Sequence, residues 1–355
     1  MACSACEIVP RTDFEDGRLL VAPAIGHTLS TVIGFVEEQG FAYERPADGL
    51  VAVDLAPGRA EQLAEGLAAR MSGPEQADCR VAHLAPNESF HVGHMSKIQP
   101  FEVFASRIGG SWLADMIDEN RLTAHFHPIV HAREPERIFA YESLVRGLGT
   151  DGRLVSPGEM FSAARSAQLM FHLDRAARLA AIDESSRWGI EQPLFINFNP
   201  TAIYDPAFCL RTTIAAAGES GRSPDQFVFE VVESDDVGDP DHLLRILQVY
   251  RQAGFRVALD DLGAGYGSLN LLHRLKPDFV KFDRELIDHI DRESDKQSIV
   301  NAIVNMAREL GCQTVAEGIE RPEEWQWLAE NGADYLQGFY FAKPGNPPPP
   351  SVPGG

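Results

Sequence analysis

Asp260 and Asp261 stand side by side at the end of an apolar run, and three glycines follow within VALDDLGAGYGSL, residues 257–269. Aspartate is poor in strands and adjacent carboxylates repel. The pair therefore needs a cation at its oxygens, or open water. Other short apolar runs close in a similar way: RIFAY on Glu142, PLFI on Asn197, QFVF on Glu230, DFV on Lys281, QTVA on Glu317 and DYL on Gln337. Taken singly, a carboxylate after a strand is more often a helix cap or a solvated loop residue. Seven such strand ends in one chain are much harder to assign to chance. Gathered in one pocket they supply five carboxylates beside an ammonium and amide groups. Five carboxylates cannot all ionise close together without cations. Oxygen ligands without His or Cys select hard ions: Mg²⁺, Mn²⁺ or Ca²⁺. An aspartate pair suits two metals about 4 Å apart, the arrangement that drives in-line phosphoester hydrolysis. The glycines let the following loop turn tightly.

Two other chemistries fit less well. G-A-G-Y-G lacks the G-x-G-x-x-G spacing of a dinucleotide turn, and the carboxylates before it would repel a pyrophosphate. Lys281 as a Schiff-base lysine leaves the carboxylates unexplained.

The elements that must position these residues lie between 121 and 344. Eight short apolar runs, HFHPIV, RIFAY, PLFIN, QFVFEVV, FRVAL, DFVKF, QTVAE and DYLQGFYF, alternate with amphipathic stretches such as HLDRAARLAAIDESSRWG and KQSIVNAIVNMARELG. That rhythm has the size and pattern of a (β/α)8 TIM-like barrel, whose parallel strands deliver their C-terminal ends to one face. An open doubly wound sheet is the runner-up. Residues 18–85 read as a small α/β domain: strand RLLVAPA, helix HTLSTVIGFVEEQG, two strands around Pro46–Gly49, helix RAEQLAEGLAARMSG and strand CRVAHLA. Residues 86–100 read as a connector and 101–120 as helical. The expected division is thus 1–100, a barrel over 101–345, and a Pro/Gly-rich tail over 346–355 that is expected to be disordered.

Lys and Arg number 31 against 52 Asp and Glu, so the formal charge is 31 − 52 = −21. That argues against wrapping duplex nucleic acid but leaves room for a small phosphorylated ligand whose charge metals offset. No secretory signal and no membrane-length apolar run is present, and the five cysteines do not form a disulfide framework, so the expectation is a cytoplasmic protein without membrane contact.

In order along the chain, HPIV at 127–130, YESLVRG at 141–147, INFN at 196–199, FEVVES at 229–234, DDLGAGYGSL at 260–269, VKFD at 280–283, AEGIE at 316–320 and QGFYFAKP at 337–344 resemble Q-P-I-V, Y-E-A-L-x-R, V-N-L-S, E-L-T-E-S, D-D-F-G-T-G-Y-S-S-L, K-I-D, A-E-G-V-E and Q-G-Y-x-F-x-x-P of the EAL-domain cyclic di-GMP phosphodiesterases. The resemblance covers about residues 105–344. It implies metal-assisted hydrolysis of cyclic di-GMP to linear pGpG with two Mg²⁺ or Mn²⁺. Glu142, Asn197, Glu230 and Asp260 would bind one metal, and Asp260 would bridge to a second held also by Asp261. Lys281 and Glu317 would orient and activate the attacking water, Gln337 would support them, and Arg146 would contact a substrate phosphate. Glu233 and Asp283 match supporting positions, Glu233 anchoring the 262–269 loop with Gly263 and Gly265, which in the family links the metal site to a homodimer interface. His127 replaces a glutamine at a guanine contact, Ser143 an alanine, Asn199 a serine and Leu262 a phenylalanine. No metal ligand is replaced. The alternative is a catalytically silent cyclic di-GMP receptor.

Residues 1–100 resemble no family, and no G-G-D-E-F-like cyclase motif is present. A regulatory module taking a signal or protein partner, or a dimerisation element, is expected there. Cys3 and Cys6 have the C-x-x-C spacing of a structural Zn²⁺ site, which Cys79, His83, His91 and His94 could complete; the bland reading is a frayed terminus with idle thiols.

Overall fold

A computed structural model of the chain describes residues 8–10, 16–232, 240–262 and 268–349. The described residues form two compact units: those up to 120 together with 158–173, and 121–157 together with 174–349.

The smaller unit is a five-stranded antiparallel sheet in the order β2-β3-β1-β4-β5, built from β1 (Gly17–Ala22), β2 (Tyr43–Ala47), β3 (Leu50–Leu55), β4 (Arg80–Leu84) and β5 (Gln99–Pro100). Strand alternation sends Leu19, Val21, Val51, Val53 and Val81 to one face, where they bury against Val32, Phe35 and Val36 of helix Gly26–Glu38 and Leu63 and Leu67 of helix Ala60–Ala68. The helices meet at Gly66, where an added Cβ would lie 2.2 Å from the Phe35 ring. The expected connector is more ordered than its composition suggested. It holds a 3-10 helix over Val92–Lys97, and β5 pairs Gln99 with Val81 and Pro100 with Arg80. Phe101 and Phe104, on helix Phe101–Gly109, enter the core of this sheet although the sequence grouped them with the barrel. Their aromatic area is buried here, and that decides where the helix packs.

The larger unit is a closed barrel of β6 (Leu122–His131), β7 (Glu134–Leu148), β9 (Leu194–Asn197), β10 (Phe227–Val232), β11 (Arg256–Leu262), β12 (Phe279–Phe282), β13 (Gln313–Ala316) and β14 (Tyr335–Leu336), with the short β8 (Leu154–Val155) paired to the end of β7. Seven strands are parallel. β6 runs antiparallel to both neighbours, β7 and β14, which corrects the all-parallel expectation. Only Ala132 and Arg133 separate β6 from β7, and a parallel crossover needs a dozen or more residues. β7 also continues six residues beyond Glu142 to its hairpin with β8.

Each barrel strand sends one side chain into a common apolar cluster: Ile129, Ala140, Phe195, Val228, Ala258, Phe279, Val315 and Tyr335. Phe139 stacks on Tyr335 with ring centroids 3.7 Å apart. The start of the tail, expected to be disordered, is bonded to β6 as far as it is described. Gly345 and Phe126 exchange backbone hydrogen bonds, and the Asn346 amide donates to Thr123 Oγ1 and the Ala124 carbonyl. An asparagine side chain thus supplies donors that the following prolines lack. Among the described residues, no helix is long and apolar enough to cross a membrane.

Candidate active site

Two residues past the apolar cluster, every parallel strand carries one of the expected site residues. Ala140 leads to Glu142, Phe195 to Asn197, Val228 to Glu230, Ala258 to Asp260, Phe279 to Lys281, Val315 to Glu317 and Tyr335 to Gln337. A strand's period of two returns each side chain to the barrel interior, one level higher. On the antiparallel β6 the equivalent step runs backwards, from Ile129 to His127, which pairs in register with Glu142.

Lys281 is the hub. Its buried ammonium lies 2.5 Å from Glu317 Oε1, 2.7 Å from Glu230 Oε1, 3.2 Å from Asp260 Oδ1 and 3.8 Å from Glu142 Oε1. Burial opposes its charge, but the four carboxylates outweigh burial and hold the ammonium protonated well above its ordinary range. Gln337 Nε2 donates to Glu142 Oε2 at 2.9 Å, and Asn197 Nδ2 donates to Glu142 Oε1 at 3.0 Å. Burial pushes the Glu142 carboxyl up, yet Lys281, His127 and these two amides together leave it below its usual value.

The other carboxylates go the opposite way. Glu230 is fully buried, with the Lys281 ammonium against Oε1 and no hydrogen bond to Oε2 among the described residues. Burial lifts its carboxyl well above the usual range; Lys281 opposes this, while Glu142, Asp260 and Glu317 add to it. Glu317 is raised strongly, and Asp260 to a lesser degree, with burial again the leading cause. Asp261 is lifted to about 6, by burial first and Asp260 second.

The aspartate pair is joined by a break in the strand. The β11–β12 register shifts between Leu259 and Leu262, and Asp261 has φ 57°, in the left-handed region. An unbroken strand would send Asp261 to the face opposite Asp260. The irregularity turns it back, so that oxygens of Asp260, Asp261 and Glu317 lie within 4.8 Å of one another. Asp tolerates the left-handed region better than most residues.

These residues fit hard divalent cations. The donors are oxygens, and Glu230 Oε2 is buried without a hydrogen-bond partner among the described residues. Five carboxylates and one ammonium leave a formal charge of −5 + 1 = −4, which two divalent ions would cancel.

The EAL domain family matches residues 111–344. This chain belongs to that family. Cyclic di-GMP phosphodiesterase PdeR of Escherichia coli K12 is 30% identical over 240 residues, covering 65% of this chain and 35% of that protein. The match to the blue light- and temperature-regulated antirepressor BluF of the same organism covers 53% of that protein, so the chain spans no more than about half the length of these curated relatives. A standalone EAL protein of Vibrio cholerae O395, solved in its c-di-GMP-bound form, is 37% identical with TM-score 0.59 over 65% of this chain and 95% of that one. BlrP1 of Klebsiella pneumoniae, solved as a manganese and cyclic di-GMP complex, is 23% identical with TM-score 0.58, covering 93% of this chain and 96% of that one. That likeness is one of fold, and it takes in the smaller unit as well.

Of the remaining expected residues of the EAL barrel, Arg146 sits four residues beyond Glu142 on β7, half-buried, with Nη1 donating to the Val145 carbonyl at 2.8 Å. Asp283 caps helix Arg284–Ile287, its Oδ1 accepting from Glu285 N at 2.7 Å. Glu233, Gly263, Gly265, Cys3 and Cys6 lie outside the described residues. The proposed complement to a zinc site is not assembled. Cys79 is buried in the small sheet's core, its thiol pushed up to about 12 by burial, and His83 Nε2 sits 2.9 Å from the Asp16 carbonyl. His91 and His94 gather with Glu88 instead. Each of their Nδ1 atoms accepts a backbone N–H, which places the proton of a neutral ring on Nε2, and His94 Nε2 faces Glu88 at 2.9 Å. The sequence reading also passed over two buried charges behind the site, Asp174 and Arg178, whose one signal was a D-x-x-x-R spacing on a helix.

Proposed function

We propose that this chain hydrolyses one phosphodiester of cyclic di-GMP to linear pGpG, and so lowers the level of that second messenger. The observation that carries this reading is the complete ring of carboxylates around Lys281, with Asp261 turned in beside Asp260. Glu142, Asn197, Glu230 and Asp260 would hold one Mg²⁺ or Mn²⁺, and Asp260, Asp261 and Glu317 the second. Such ions polarise the phosphoryl oxygens and lower the pKa of water at the site.

The chain's own residues do the rest. Lys281 holds a permanent positive charge against the developing negative charge on the phosphate. Glu317, beside Lys281 and less deeply buried than Glu230, receives the proton of the attacking water. The water oxygen forms the new P–O bond, the P–O3′ bond breaks and O3′ leaves as the 3′-hydroxyl with a proton from solvent, so the 5′-phosphate of pGpG carries the water oxygen. Gln337 and Asn197 keep Glu142 ionised and oriented. Arg146 is placed about 13 Å along β7 from Glu142, at ~3.3 Å per residue, where it would meet a distal phosphate. A homodimer, implied by the family resemblance, belongs to the same proposal, and the smaller unit would take the signal or partner.

The test is turnover of cyclic di-GMP by the full chain with Mg²⁺ or Mn²⁺, beside Glu142→Ala. Linear pGpG from the parent alone supports the reading. Tight binding of cyclic di-GMP without product in either metal would replace it with the receptor.

A further inference from the structure

Behind Asn197, outside the barrel's polar ring, sits a buried ion pair that the chemistry above does not use. Asp174 and Arg178 lie one turn apart on helix Met170–Arg187, with side chains 3% and 0% exposed. Arg178 Nη1 donates to Asp174 Oδ2 at 2.7 Å. The other Asp174 oxygen, Oδ1, accepts the backbone N–H of Asn199 at 2.7 Å. The Tyr250 hydroxyl also faces the buried Arg178 guanidinium. A buried charge pair is expensive to desolvate, and well-packed apolar residues commonly do as well for stability. Here one arm of the pair reaches the peptide two residues beyond Asn197.

That peptide sets where Asn197 points. Phe198 N donates to the Glu230 carbonyl at 3.2 Å, and Asn199 caps the 3-10 turn Pro200–Ala202 through its Oδ1. Phe198 packs edge-on to Tyr250, ring centroids 5.3 Å apart, and Tyr250 stacks on Phe229 at 4.0 Å, next to Glu230. The chain therefore leaves β9 between two fixed points: Glu230's backbone on one side and the Asp174 carboxylate on the other.

We infer that Asp174 and Arg178 are positioning residues: the carboxylate clamps the Asn199 amide so that Asn197 faces the ring, and Arg178 holds that carboxylate in place. Burial lifts the Asp174 carboxyl above its usual value, and the adjacent guanidinium and the Asn199 amide limit that rise. The inference rests on the cation-binding reading for its consequence, and on the hydrogen bonds alone for the clamp.

Two variants of the full chain separate the clamp from simple packing. Asp174→Leu with Arg178→Met removes both charges and keeps apolar volume. It is expected to melt no lower than the parent. Its amide exchange over residues 195–203, followed by mass spectrometry, is expected to be faster, and its Mn²⁺ affinity, read by EPR titration, to fall about 10–100-fold, as for other residues that orient a metal ligand. Asp174→Asn keeps an acceptor for Asn199 but strands the Arg178 cation. It is expected to melt lower while holding the parent's exchange rate over 195–203 in its folded state. A double variant with the parent's exchange protection overturns the inference. Faster exchange with unchanged Mn²⁺ affinity also overturns it, since the clamp would then do nothing for Asn197. A parent that binds no Mn²⁺ would sink the proposed function, and the exchange comparison would still decide the clamp.

Discussion

Lys281→Met is the sharpest probe of the ring. The substitution keeps the length of the side chain and removes one positive charge from among four carboxylates at 2.5–3.8 Å. Lys281 is 1% exposed and Glu230 is fully buried, so solvent screens little of this. Removing one partner of such a buried pair typically costs about 3–5 kcal/mol. Part of that is relieved here. Burial has already lifted Glu230 and Glu317 well above the usual carboxylate range, so without the ammonium they take up protons rather than stay charged. The lower end, about 3 kcal/mol, is the better expectation, and for a barrel of this size it corresponds to a fall in Tm of roughly 6–12 °C. The assay is thermal unfolding followed by circular dichroism, in EDTA and again with Mn²⁺. A cation at about 100 times its Kd adds about 2.7 kcal/mol to the folded state. In the variant no ammonium repels the ions, so its gain in Tm on adding Mn²⁺ should exceed the parent's. A variant that melts within about 2 °C of the parent in EDTA would refute the reasoning, because the carboxylates would then be tolerating one another without Lys281.

Three further outcomes follow from named contacts. Asp261→Asn keeps a side chain that accepts the left-handed backbone and removes a charge; the fold should persist, kcat should drop at least about 100-fold, and raised Mn²⁺ should restore part of it, whereas full activity at limiting Mn²⁺ would exclude Asp261 as a ligand. For Glu324, burial pushes the carboxyl up, but N–H groups of His289, Arg321 and Glu320 outweigh it and hold the carboxyl below its usual value. Its stabilisation is therefore complete above the unfolded value near ~4.3 and lost as pH falls through the lower folded value, so Glu324→Gln should lower stability by about 1.5–3 kcal/mol at neutral pH and by a vanishing amount in strong acid, and a pH-independent difference in Tm would contradict this. His127 meets the Ala342 carbonyl with Nε2 at 3.1 Å, and burial holds its ring below the usual imidazole range against the pull of Glu142 and of the Ala342 and Gly338 carbonyls; a neutral imidazole offers one N–H where a glutamine amide offers two, so His127→Gln should raise stability by about 0.5–1.5 kcal/mol without a charge, and a lower Tm would show that the ring's packing matters more.

The order of the site along the chain was open to reading because each strand repeats one physical pattern. A buried strand needs apolar side chains, and a polar residue at its C-terminal end stands out against that run, as Glu230 does after QFVF. What was hidden is whatever depends on a partner strand. The HAREPE stretch between HFHPIV and RIFAY was too short for a crossover, and that spacing alone could have announced the β6–β7 hairpin. Phe101 and Phe104 were legible as apolar helix positions, but nothing local says which of two cores an aromatic pair will enter. Composition hid the order at the start of the tail: proline removes backbone donors, and the Asn346 side chain supplies them.

Gly338 illustrates the same division at the site itself. The sequence marks it as one glycine in QGFYF, with a negative φ and so no turn to demand it. In the fold, an added Cβ would lie 2.1 Å from the Ile319 carbonyl oxygen and 2.3 Å from Ile319 N. Ile319 N in turn donates to the Gln337 carbonyl, and Tyr340 N to the Ile319 carbonyl. The backbones after β13 and β14 are thereby laced together at the level where Glu317 and Gln337 project. Period-two alternation can deliver a ring of side chains to one height, but it cannot hold neighbouring strand ends at a fixed separation once the ladder stops. Two departures from regular strand do that work in this barrel: the break at Asp260–Asp261, which adds a second carboxylate to one strand end, and the side-chain-free contact at Gly338, which locks two ends against each other. Both lie where the ladder ends and the chemistry begins, which is why strand propensity alone could name the residues and not their spacing in space.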